Sequence, residues 1–144
     1  YTHRRLLAQT ALQLIADGKN QKAINILKKA DVEIPAYNVT LDYMSGGLDM
    51  ARGWLMTGQK AKGKEYVEAV WKNAHQYLDY YLSLTNDRFL QSQNDCIRQI
   101  MIMQSVCDVA GMVSPQLQKS YEKQLNALYT LYRGRGGSMP QGNQ

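Results

Sequence analysis

Cysteine, histidine, phenylalanine and proline are all scarce in this chain: two, two, one and three residues among 144. Each scarcity removes a class of protein. The histidines are His3 and His75, and neither sits in a helical metal-binding motif. Cys96 and Cys107 have no zinc-type spacing, so no metal centre is expected. On one helix the two cysteines lie three turns apart on nearly the same face, about 16 Å from each other. A disulfide needs Cα atoms within roughly 7 Å, so both are expected to be unpaired, buried thiols. Gly46-Gly47 and Gly136-Gly137 lack the flanking residues of a phosphate-binding loop, and no serine occupies a nucleophile elbow. Asp79, Asp87, Asp95 and Asp108 are scattered, as capping or solvated charges would be. The expectation is a non-catalytic chain without a cofactor.

Long hydrophobic runs are also missing. No stretch approaches the roughly 20 apolar residues that span a bilayer, and no signal-peptide pattern is visible. The first residue is Tyr1, already inside an amphipathic pattern, which suggests a piece of a longer protein. With 17 Lys and Arg against 12 Asp and Glu, the net charge is +5. That balance permits an anionic partner without requiring one. Nucleic acid is not expected, because no recognised binding motif or Arg-aromatic interleaving accompanies the charge.

What is present is helical periodicity. Leu6, Leu7, Thr10, Ala11, Leu14 and Ile15 follow helical spacing up to Gly18, which stops the helix. Ala23, Ile24, Leu27 and Ala30 form a second amphipathic helix that ends before Pro35. The tetratricopeptide pattern has small residues at its eighth, twentieth and twenty-seventh positions, glycine at its fifteenth and proline at its thirty-second. With Gly18 as the turn, Ala11, Ala23, Ala30 and Pro35 fall on the other four. Small side chains there let two antiparallel helices nest. With Gly58 as a second turn, Ala51, Gly63 and Val70 take the small positions and Trp54 the large aromatic one. The turns are 40 residues apart, about six more than the 34-residue period. The excess is assigned to a loop, "PAYNVTL" at 35–41, which contains the sequon Asn38-Val39-Thr40.

A third, degenerate unit has a long helix from about Asp87 to Ala110. Its "IMIM" run at 100–103 predicts burial on several sides, and Gly111 is expected to break it. Ser114-Pro115 then starts a last helix, with Leu117, Tyr121, Leu125, Leu128 and Tyr132 on one face. The predicted fold is all-α: a right-handed superhelix of six helices in three antiparallel hairpins. Its units cover about 2–35, 41–84 and 87–132. Residues 133–144 form a mobile tail.

Three surfaces are candidates for function. In stacked hairpins the first helix of each unit lines a concave groove, here Arg5, Ala8, Leu12, Ile15, Ser45, Leu48, Arg52, Leu55 and Met56. So apolar a face either binds a partner or is closed by the chain's own third hairpin. Trp71, Tyr77, Tyr80 and Tyr81 crowd one helix, either as a stacking platform for a glycan or as core. Lys19, Lys22, Lys60, Lys62 and Lys64 follow the turn glycines along one edge, either solvated or facing anionic lipid headgroups.

Three stretches carry a family resemblance: "THRRLLAQTALQLIADGKNQKAINILKKADVEIP", "DYMSGGLDMARGWLMTGQKAKG" and "QYLDYYLSL". From Thr2 to about Tyr132 the chain resembles the C-terminal soluble domain of bacterial multi-pass membrane proteins related to protein O-mannosyltransferases. In that family the catalytic residues belong to the membrane half, so none is carried onto this chain. The resemblance implies a periplasmic interaction module, tethered to the inner membrane. It would hold a protein partner, an acceptor or its own membrane domain. Alternatives are a carbohydrate-binding accessory domain and a lipid-docking surface.

Overall fold

A computed structural model describes residues 2–37 and 39–138, the side chain of Thr2 excepted. Seven α-helices and no strand occur among them, so the chain is all-α. They are α1 (Thr2–Ala16), α2 (Asn20–Glu33), α3 (Gly47–Met56), α4 (Lys60–Leu82), α5 (Asn86–Gln91), α6 (Gln93–Val113) and α7 (Pro115–Gly134). Asn38 of the sequon and residues 139–144 of the predicted tail lie outside the described residues.

The first two hairpins turn in the same way. Gly18 and Gly58 have φ of 78° and 82°, a region that L side chains avoid. The Gly18 N–H donates to the Ile15 carbonyl at 2.9 Å and the Lys19 N–H to the Leu14 carbonyl at 2.8 Å. Gly58 and Gln59 repeat this on Leu55 and Trp54, at 3.1 and 2.8 Å. This paired bonding satisfies two carbonyls at each helix end and reverses the chain.

Close packing follows from the small residues. Ala11, Ala23, Ala30, Ala51 and Val70 are buried. A Cβ at Gly63 would lie 2.4 Å from the Leu55 side chain, and one at Gly53 would lie 2.9 Å from Leu27 Cδ2. α3 therefore nests between α2 and α4. It also packs on α1, and the third helical pair joins the stack through α6, which lies against α3, α4 and α7.

The loop after α2 is organised by Arg4, which is only 1% exposed. Its Nη1 donates to the Thr40 carbonyl at 2.8 Å and to Ser45 Oγ at 3.1 Å. Its Nη2 donates to the Ile34 carbonyl at 2.9 Å and to that of Val39. Burial lowers its pKa, opposed by the charges of Asp42 and Asp31. Ser45 continues the network: its hydroxyl donates to the Thr40 carbonyl at 2.7 Å, and its N–H donates to Asp42 Oδ1 at 2.7 Å.

The third unit departs from expectation in two ways. The predicted long helix is split at Ser92. The Ser92 N–H closes α5 on the Arg88 and Phe89 carbonyls, while its own carbonyl accepts from the Cys96 N–H and opens α6. The break lets Phe89 enter the core, its ring 5.8 Å from that of Tyr132. Gly111 does not end α6, which runs to Val113. Its missing side chain instead admits Gln118 of α7, since a Cβ there would sit 2.9 Å from Gln118 Nε2. The stop comes at Ser114, whose Oγ accepts from the Leu117 N–H at 3.1 Å.

Finally, residues 133–138 are tied to the body, where a mobile tail was expected. Arg135 donates to the Leu82 carbonyl at 2.6 Å and lies 4.4 Å from the Phe89 ring centre. The Ser138 N–H donates to Gln93 Oε1 at 2.8 Å, and Tyr132 Oη donates to the Ser138 carbonyl at 2.8 Å.

Arg4→Met should strip the 34–45 segment of its shared donor and cost on the order of 3 kcal/mol, as hydrogen bonds to a charged group do. Arg4→Lys should recover only part, because one ammonium cannot span four acceptors. Urea midpoints measure both, and an unchanged midpoint in Arg4→Met would remove Arg4 as the organiser of this loop.

Candidate functional site

The predicted groove is only partly realised. Arg5 and Met56 are exposed, while Leu12, Ile15 and Leu55 are half-buried. Arg52 is half-buried and pairs with Asp49 at 2.9 Å. Leu48, expected on the groove surface, is 1% exposed and belongs to the core, as do the buried Ala8 and Ser45. The reason is the crowding of α3, which α1 and α6 both contact.

The aromatic cluster divides. Trp71 is buried and stacks on Tyr121 of α7, with ring centres 4.0 Å apart and planes 4° from parallel. It is core, not a ligand platform. Tyr77 and Tyr80 remain 50% and 58% exposed, and Tyr81 is half-buried between them. Tyr77 and Tyr81 stack at 6.5 Å, and Tyr80 meets Tyr81 edge-on at 5.6 Å.

The lysine edge is interrupted. Lys19, Lys22, Lys60 and Lys64 are exposed. Lys62, however, binds Asp31 of α2 at 2.8 Å and lies over the rings of Trp54 and Tyr66. The hydrogen bond to Asp31 raises its pKa, against the pull of burial. Lys62 thus ties α2 to α4 rather than presenting a free charge.

A concave site appears elsewhere. A cleft of about 570 Å³ runs between the segment before α3 and the outer face of α6. Tyr43 and Met44 form one wall; Ile97, Met101 and Ile102 line the other side. Met44 is 62% exposed and Met101 55%, so the "IMIM" run is not buried throughout. Ile100, Ile102 and Met103 are buried, Ile102 at the edge of the cleft. Arg98 and Asp108 also line the cleft. A second cavity of about 230 Å³ shares Tyr43, Met44, Arg98 and Ile102 with it and reaches Asn73, Tyr77 and Tyr81 of α4.

Sequence reasoning missed Tyr43, Met44 and Met101, and above all Arg4, whose bonds to Thr40 and Ser45 flank and hold the Tyr43-Met44 wall. A signal for Arg4 was present. It lies four residues before Ala8 and seven before Ala11, on the same buried face of α1. Tyr43 and Met44 carried no such signal, because loop residues have no periodicity to read.

His75 Nδ1 and Asp79 Oδ2 lie 2.8 Å apart, one turn apart on α4. Among the described residues no three His, Cys, Asp or Glu side chains gather to hold a metal. Cys96 and Cys107 are free and buried. Burial, with smaller contributions from Glu122 and Asp108, pushes Cys107 up to about 11. Burial likewise raises Cys96. α6 is long and apolar enough to cross a membrane by length and composition, but half of that stretch is buried inside the fold.

Comparison with protein-family models, with curated proteins and with solved structures finds no match to this chain.

Because the thiolate is the reactive form, neither cysteine should react with a disulfide reagent at about pH 8 until the protein is unfolded. Between the ordinary thiol value of 9.0 and about 11, folded Cys107 keeps a proton that the unfolded chain releases. Its contribution to stability therefore falls as pH rises through that window. Rapid labelling of the folded protein would show one thiol to be accessible.

Proposed function

We propose that this chain is a non-catalytic helical-repeat domain, tetratricopeptide-like in its superhelical arrangement, that binds a short peptide segment along the outer face of α6. The main cleft carries this reading. Arg98 and Asp108 are ten residues apart on one helix, about 15 Å, which an extended peptide covers in four or five residues. Between them lie Ile97, Met101 and Ile102, faced by Met44 and Tyr43. Methionines suit such a surface because they adapt to different apolar side chains. The occupant suited to this arrangement has an apolar centre, an acidic group at the Arg98 end and a basic group at the Asp108 end. The matching turns at Gly18 and Gly58 support the repeat arrangement.

Peptide arrays probed with the intact chain test the site. Sequences with an apolar centre and opposite charges at their two ends should bind, whichever way the chain runs. Sequences with like charges at both ends should bind less well. Met101→Asp should abolish binding, and Arg98→Glu should weaken it about tenfold, or 1.4 kcal/mol. Equal binding of opposite-charged and like-charged sequences, or indifference to Met101→Asp, would reject the cleft as the site.

The family resemblance suggests where such a segment comes from: a protein partner, an acceptor, or the membrane portion of a longer chain, with this domain periplasmic and tethered to the inner membrane. A topology reporter fused after the domain in the full-length protein should be active only as an extracytoplasmic form. Cytoplasmic activity would overturn the placement.

A further inference from the structure

The smaller cavity has a different chemistry from the peptide cleft, although the two share a wall. Its walls are mostly polar. α4 contributes Asn73, Tyr77 and Tyr81, with Asn73 and Tyr77 four residues apart and Tyr77 and Tyr81 four residues apart, so all three follow one face of the helix. α6 contributes Arg98 and Gln99, and the loop before α3 contributes Tyr43. The stacked pair Tyr77 and Tyr81, with planes 25° apart, makes an aromatic wall in which the Tyr77 ring is half exposed.

We infer that this cavity is a binding site for a single neutral pyranose sugar. A pyranose presents C–H groups on its faces and pairs of adjacent hydroxyls around its edge. Aromatic faces pack against the first, being apolar surfaces that keep a polar handle within reach of water. Planar groups with two donors or acceptors match the second, and Asn73, Gln99 and Arg98 are such groups. The volume is about 230 Å³, less than half that of the peptide cleft, which suits one ring rather than a chain of them. Charge points to a neutral ligand. Arg98, the single cation, also lines the peptide cleft, but Asp42 lines only this cavity. A phosphate or carboxylate here would meet the Asp42 carboxylate as well as the cation.

Arg4 fixes the third side, since its bonds to Thr40 and Ser45 hold the turn that carries Tyr43. The aromatic wall and the loop wall are thus both supported from the core. Such support keeps the ordering cost of binding low.

The test uses the intact chain and the methyl pyranosides of glucose, galactose, mannose and N-acetylglucosamine. Saturation-transfer difference spectra, with irradiation of the aromatic protons, should show transfer to the ring C–H protons of at least one glycoside. Tyr77→Ala should weaken that binding at least tenfold. Tyr37→Ala should leave it unchanged, because Tyr37 is exposed and lines neither cavity. Met101→Asp, which removes the floor of the peptide cleft, should also leave it unchanged, so this inference and the peptide reading fail separately. Both Tyr variants alter exposed side chains, and an unchanged amide spectrum elsewhere will confirm that they fold. Absence of transfer from every glycoside at tens of millimolar overturns the inference. So does equal binding by Tyr77→Ala, or loss of binding in Tyr37→Ala or Met101→Asp.

Discussion

The Arg4 guanidinium carries a charge into the protein and spends its donors on neutral oxygens: the carbonyls of Ile34, Val39 and Thr40 and the hydroxyl of Ser45. A buried charge is costly unless its hydrogen bonds are made, so this group tolerates one loop conformation and penalises others. The loop in turn sets where α3 begins. Gly46 passes so close to α1 that a Cβ on it would lie 2.7 Å from the Arg5 Cα. Gly47 is held equally closely, between the Asp42 carbonyl and Val70 of α4. The register of the second hairpin against the first thus depends on a contact made by the fourth residue of the chain.

Helix α6 shows a second constraint, the demand of one helix that must face three neighbours. It meets α3, α4 and α7, which accounts for its largely apolar composition and for two buried cysteines. An uninterrupted helix from Asp87 would carry Phe89 along α6's own axis. The break at Ser92 turns α5 aside, and Phe89 packs against Tyr132 beneath Arg135. The segment after α7 then closes over that junction through Arg135 and Ser138. The C-terminal end of the fold is therefore held by polar contacts around a buried ring.

The two cavities follow from the same arrangement. The loop held by Arg4 stands beside the outer face of α6, and the gap between them is the larger, mostly apolar cleft. Where the loop also approaches α4, tyrosines and amides join Met44 and Ile102, and the gap becomes smaller and more polar. One structural wall, Tyr43 and Met44, serves both. Its position relative to α6 controls the width of each.

Several features were legible because their physics is local. The turns at Gly18 and Gly58 rest on bonds that span six residues, and the cap at Ser114 on a bond to Leu117. The all-α class follows from periodicity within single helices, and the small residues at Ala11, Ala23, Ala51 and Gly63 mark nesting faces wherever the helices go. The candidate site was not legible in this way. Leu48 and Met101 are both apolar helix residues, yet one is core and the other lines a cleft. Trp71 and Tyr77 share a helix, yet only Trp71 finds a ring from α7 to stack on. Lys62 resembles its neighbours in sequence until Asp31 arrives from α2. In each case a helix distant in the chain decides whether the side chain meets protein or water. Local sequence determined the helices and their turns; only the packing of those helices determined which residues were left to form a site, because burial depends on what arrives from the other side.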